Sequence, residues 1–299
     1  MQWWKIAMVA ALTLAAGLRA DDAADAALAK RARAMLHHIV DTNQSSVRVD
    51  AMDALVATGE GRAVRDQLMR ERAGNEASVY RVGIWRILAN TTSSPYERMQ
   101  WIERIEGVIL NPRAADQLQA MEALGRLNHR VKGKVREALR ARAAAGPEED
   151  VIAAQWVLQG VSETGSMAGL TKALASPDAS ARQHAAYALR CLEPFDVSAR
   201  QALVRALEKE PEDSVAYPYV LSAAVALRAD RSRLAEWQDK LEKLLITGTP
   251  AIRFEACQTL MRRFSTADVA KVTPLLDDKD PTTQIAAAWT ILWLLDRRG

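Results

Sequence analysis

The sequence predicts an all-α protein, an α-α superhelix built as a solenoid of about eight helical hairpins. Three observations predict it. An apolar helical pattern recurs at nearly constant spacing. Ala, Leu and Arg dominate while aromatic residues make up only 5% of the chain, which favours helix over strand. No Pro/Gly/Ser-rich linker divides the 299 residues, although a single compact core stops growing near ~250–300 residues. A repeat array removes that conflict, because each unit packs only on its neighbours. The content of 49% hydrophobic and 26% charged residues is that of a folded chain.

The N-terminus reads as an export signal. Met1–Lys5 carries one lysine, Ile6 to Gly17 is an apolar run, and Leu18-Arg19-Ala20 offers a cleavage site before Asp21. The run is shorter than the ~20 residues of a membrane span. The expected division is therefore a signal peptide at 1–20 and a single repeat domain at 21–299, exported to a periplasmic or secreted location, with an uncleaved N-terminal anchor as the alternative. Removing 1–20 takes away Lys5 and Arg19 and no acid, so the formal charge falls from +3 to +1. Bulk charge then gives no reason to expect nucleic acid as a partner.

The repeat is anchored on Leu55, Leu88, Leu124, Leu158, Leu189, Leu227, Leu260 and Leu292, at spacings of 33, 36, 34, 31, 38, 33 and 32. Four residues before each anchor stand Ala51, Ile84, Ala120, Ala154, Ala185, Ala223, Ala256 and Ala288. One before it, Ala54, Ala123, Ala188 and Ala226 recur. Offsets of three and four lie on one helix face, and small residues there let helices approach closely. Seven before the anchor, Arg48, Arg81, Arg182 and Arg253 recur, with Gln117 in a fifth copy. These form a structural ladder, each rung reaching an acid in a neighbouring turn.

Helix starts agree with this register. Ser94-Pro95, Asn111-Pro112, Ser176-Pro177, Thr249-Pro250 and Asp280-Pro281 pair a capping residue with proline at the first helical position. Pro218 falls inside the sixth copy and is expected to kink it. Between the anchor helices, Val64–Arg72, Tyr96–Leu110, Val131–Ala144, Met167–Leu174, Val197–Leu207, Leu234–Ile246 and Val269–Leu276 read as partner helices. Cys191 and Cys257 fall two units apart, roughly 20 Å at ~10 Å per helix layer. That is too far for a disulfide, and both are expected as separate, mostly buried thiols.

The run Ser176-Pro177-Asp178-Ala179-Ser180-Ala181-Arg182-Gln183-His184-Ala185-Ala186-Tyr187-Ala188-Leu189 resembles the HEAT repeat, in the short form of the phycobilisome-lyase-type HEAT-like proteins. Val272-Thr273-Pro274-Leu275-Leu276-Asp277-Asp278 is similar to the Pro-containing first helix of that repeat and its acidic turn. The resemblance spans nearly all of 23–299, with copies two, four and six departing most. It implies an armadillo-like fold and is almost silent on function. HEAT-like hydroxylases rely on His-Glu pairs, and this sequence has none.

No catalytic, cofactor or metal constellation stands out. His37, His38, His129 and His184 lack ligand spacing to Cys, Asp or Glu. P-loop, nucleophile-elbow and dinucleotide motifs are missing. The expected protein is non-enzymatic and takes no cofactor.

Two features are left over. One is a basic stretch with Arg130, Lys132, Lys134, Arg136, Arg140 and Arg142, in which Lys132, Arg136 and Arg140 form an i, i+4, i+8 stripe. It is a candidate contact for an acidic polysaccharide. The other is the apolar last helix, where Trp289, Trp293 and Leu294 are a candidate surface for end-to-end self-association, since terminal repeats normally turn a polar face outward. The reading is an exported scaffold holding a protein partner, the alternatives being a polyanion binder and a HEAT-like lyase or enzyme accessory. No membrane span is expected after signal cleavage. Ala185→Leu should overpack the stack and lower the unfolding free energy by ~1–3 kcal/mol in urea titration; an unchanged midpoint contradicts the register.

Overall fold

The computed structural model describes residues 3–71, 74, 78–192, 196–265 and 268–297, with side chains from residue 22 onward. Helix is the regular secondary structure of these residues. The helices are α1 (Trp3–Thr42), α2 (Ser46–Leu55), α3 (Gly61–Arg70), α4 (Arg81–Thr91), α5 (Pro95–Leu110), α6 (Gln117–Arg126), α7 (Gly133–Ala145) and α8 (Glu148–Gln159). They continue with α9 (Ser166–Ala173), α10 (Ala179–Leu192), α11 (Val197–Lys209), α12 (Tyr217–Ala226), α13 (Leu234–Thr247), α14 (Pro250–Leu260), α15 (Val269–Val272, running into a 3-10 turn at Thr273–Asp277) and α16 (Pro281–Asp296).

The even-numbered helices carry the anchors. All eight anchor leucines are at most 5% exposed, and so are all eight residues four positions earlier. Each even helix packs on the next even helix and on the odd helix that precedes it. Methyl-sized side chains at the shared face set the spacing. Gly125 of α6 marks a close approach of two even helices, because a Cβ there would sit 2.6 Å from the Trp156 ring of α8.

Caps act where local chemistry allows. Ser94, Thr249 and Asp280 accept from the backbone N–H groups of Glu97, Ile252 and Thr282. Asn111 instead ends α5, and Ser176-Pro177 lies in the turn before α10. Pro218 is the second residue of α12, so the expected kink is absent: at that position proline gives up no helical hydrogen bond. Gly59, at φ +99°, turns the chain between α2 and α3.

The array closes on itself. α16 packs against α2, and α1 packs on both of them, as α3, α5, α9 and α13 each pack on the two even helices beside them. Ala32, Leu36, Ile39 and Val40 of α1 are buried, as are Ile285, Ile291, Leu292 and Leu294 of α16. Arg31 of α1 bonds Asp277 at the end of the α15 turn. This corrects the expectation of an apolar end surface. Leu294 is only 1% exposed, Trp289 meets the Phe254 ring edge-on at 6.4 Å, and Trp293 is half-buried with Arg297 over its ring. The last helix is apolar on several sides because α1, α2 and α14 all pack against it.

Residues 3–20 of the expected export signal are described as backbone only, in the first part of α1, and no side chain there bears on the assignment. No described helix is long and apolar enough to cross a membrane. Leu36→Ala, at the closure, should cost ~2–5 kcal/mol, read as a lowered urea midpoint; wild-type stability would mean that α1 does not hold the ring shut.

Candidate functional site

The arginine ladder joins neighbouring hairpins. Arg48 donates to Glu71 at 2.7 Å, Arg81 to Asp116 at 2.8 Å and Arg182 to Glu210 at 2.7 Å through both of its branches. Arg253 pairs with Asp278, and Gln117 donates to the Asn111 carbonyl. Each acid lies in the turn before the next even helix, so one rung fixes the angle between successive units. Two surface clefts, of about 220 and 420 Å³, open beside the Arg48 and Arg182 rungs. Both arginines are already committed to their acids.

The basic stripe is largely neutralised within the chain. Arg136 and Arg140 both donate to Glu163, at 2.6 and 2.8 Å. Hydrogen bonds from Arg140 and then Arg136 hold the Glu163 carboxyl below its ordinary range. Arg142 pairs with Asp150 at 2.9 Å. Lys132 precedes α7 as its N-cap, so it does not continue the helical stripe. Arg130, Lys132 and Lys134 are exposed on the loop and first turn.

The polar site that sequence reasoning missed lies inside the ring. It is built from positions five and two before the anchor and one or two after it, a single i, i+3, i+7 stripe on each even helix. Asp50 and Asp53 come from α2, Arg86 from α4, Glu122 and Arg126 from α6, His184, Tyr187, Arg190 and Cys191 from α10, and Glu255 from α14. Side chains from even helices two hairpins apart meet here. Arg126 donates to the Tyr187 hydroxyl across α8, and Arg190 grips Glu255 across α12 at 2.6 and 2.9 Å. Arg86 holds Asp53 at 3.1 Å through Nη1. Tyr187 stacks edge-on against Trp156 at 5.8 Å.

Two carboxylates stand out in this cluster. Burial pushes Asp50 up to about 6; neighbouring Asp53 adds to the rise, and Arg126 and Arg86 only partly offset it. Burial likewise raises Glu122, against the charges of Arg126, His184 and Arg86. Neither has a hydrogen-bond donor among the described residues. Burial raises the Tyr187 hydroxyl and the Cys191 thiol as well. Cys191 and Arg126 nevertheless keep exposed surface, so the interior is open to solvent at the end where the even helices terminate. Cys257 is buried and its thiol is pushed up to about 12 by burial. Both cysteines are free, and the exposure of Cys191 departs from the buried state expected of it, because its position faces the ring interior.

The histidines are tied to local partners. His184 Nδ1 lies 2.9 Å from the Ser180 carbonyl, His129 lies 3.0 Å from Glu106, and His37 lies 2.8 Å from Glu60. Among the described residues no group of three His, Cys, Asp or Glu side chains is arranged to hold a metal ion.

No protein-family model matches the chain, and no curated protein matches it. Among solved structures, the crystal structure of an engineered protein from a structural-genomics consortium is similar at 20% identity and a TM-score of 0.33. The match covers 90% of this chain and 84% of that one.

Asp50 generates a pH signature. Its carboxyl binds a proton more tightly folded than unfolded, so folding is favoured below about pH 4 and that advantage is lost as pH rises through about 6. Asp50→Asn should flatten this window and stabilise the protein at pH 7 by on the order of 2 kcal/mol. Unfolding curves at pH 4 and pH 7 check it, and equal responses of variant and wild type contradict the assignment.

Proposed function

We propose that this chain is an exported, non-enzymatic HEAT-like scaffold whose ring interior holds a protein partner through a lysine or arginine side chain. The observation that carries this reading is the placement of Asp50 and Glu122. Both point into the ring from positions that hairpin stacking does not use, and neither has a hydrogen-bond donor among the described residues. Burying polar groups without partners costs free energy, and a cation entering from the open end would offset that cost for both carboxylates. Repeat proteins commonly bind along the surface that their curvature forms. The apolar signal-like segment at 1–20 supports export. The near-neutral charge left after its removal gives no reason to expect a nucleic-acid partner.

The polyanion alternative at Arg130, Lys132, Arg136 and Arg140 has less support, since Glu163 engages two of those four side chains. The test is site-specific photocross-linking in the native envelope. A cross-linker at position 191, beside the interior cluster, should trap one discrete protein, and Glu122→Gln with Asp50→Asn should reduce that product at least fivefold. Equal trapping from the exposed Glu103 on odd helix α5, or a product insensitive to the double substitution, would remove the interior as the binding surface.

A further inference from the structure

Three even helices end with the same backbone device. Asn128, Ser162 and Arg228 occupy the left-handed region, at φ of 47°, 54° and 49°. In each case the following N–H reaches back to close the helix: His129 to the Leu124 carbonyl, Glu163 to Leu158 and Ala229 to Ala224, at 2.9–3.1 Å. Glycine meets this requirement with least strain, and asparagine tolerates it. Arginine gains nothing from the conformation, and its long side chain here is exposed. A strained residue kept at such a position points to its side chain rather than to its backbone.

The surroundings of Arg228 concentrate positive charge. Arg263, in the turn after α14, lies against the end of α12 and donates through Nη2 to the carbonyls of Val225 and Ala226, at 3.2 and 2.9 Å. That places the Arg263 guanidinium at the helix end from which Arg228 projects, within reach of the charges of Arg228 and Arg262. Burial, followed by the charges of Arg228 and Arg262, lowers the affinity of Arg263 for its proton. Helix capping accounts for Arg263. It does not account for Arg228, whose backbone N–H closes on the Val225 carbonyl at 3.2 Å but whose side chain makes no hydrogen bond or ion pair among the described residues. The acid nearest to it in sequence, Asp230, is turned to Ser232, whose N–H and hydroxyl it accepts at 2.8 and 2.7 Å. Arg262 has an interaction of its own and contributes only its charge.

We propose that Arg228 and Arg263 form a docking site for a multiply charged oxyanion, a phosphate or sulfate group, at the open end of the ring. Guanidinium pairs are suited to such groups because their planar N–H forks match the oxygen geometry. The site is separate from the Asp50–Glu122 interior and does not depend on it. It lies in the turns that follow α12 and α14, away from the Glu163-clamped stripe of α7.

Calorimetric titration at low salt tests it, with inorganic pyrophosphate in one arm and a sulfated oligosaccharide in the other. Saturable binding of pyrophosphate identifies a small free anion; binding of the oligosaccharide alone identifies a polymer-borne group. Either supports the site, and no heat in both arms overturns it. Arg228→Gly should weaken binding at least tenfold while Tm stays level or rises by about 2 °C, because glycine relieves the left-handed strain. Arg228→Gln leaves the backbone demand in place and should weaken binding equally. Lys132→Ala should bind as wild type does. Unweakened binding in Arg228→Gln, or a loss in Lys132→Ala as large as in Arg228→Gln, overturns the assignment.

Discussion

The packing of α1 against α16 and α2 is the contact on which the rest of this structure depends. A hairpin array must end somewhere, and each end leaves an apolar helix face without a neighbour. Here the two ends supply each other's neighbour. Leu36, Ile39 and Val40 of α1 and Ile291, Leu292 and Leu294 of α16 are all buried, and the two helices pack on each other. The long apolar run of α16, which in an open array would call for a partner molecule, is ordinary core in a closed one.

Closure also constrains every unit between the ends. The even helices must turn through a full circuit, so their shared face has to be narrow on the inside. Alanine at the stacking positions and Gly125 beneath Trp156 give that narrowness. The arginine ladder works from the other side of the same problem. Each rung ties the start of one even helix to the turn before the next, and partly buried pairs such as Arg182–Glu210 are more sensitive to loss of one partner than a solvent-exposed pair.

Curvature then explains the polar interior. Side chains pointing inward converge with those of helices two hairpins away, which is why Arg126 reaches Tyr187 and Arg190 reaches Glu255. Apolar residues throughout that space would collapse the ring into an ordinary core. Charged residues that pair across it hold it open at one end, and they leave Asp50 and Glu122 in surroundings that favour their protonated forms. The ring interior and the crowded arginines beside it differ in sign and in place, so a cationic partner group and an oxyanion need not compete.

The sequence by itself determined the helical hairpins, their register and their close stacking, because these follow from periodicity, residue size and capping within about 35 residues of chain. The anchors, the alanines and the rungs at Arg48, Arg81, Arg182 and Arg253 are all legible at that range. Only the tertiary structure decided that the array closes, since the packing of α1 against α16, from opposite ends of the chain, leaves no local pattern in either helix. The same distance hid the interior site. Asp50, Glu122, Arg126, Tyr187 and Glu255 each look like an isolated polar residue on its own helix, and curvature alone brings them together. It also hid the neutralisation of the basic stripe: Glu163 sits in a loop more than 20 residues from Arg136 and Arg140, and a charge pattern read along one helix does not register an acid arriving from another.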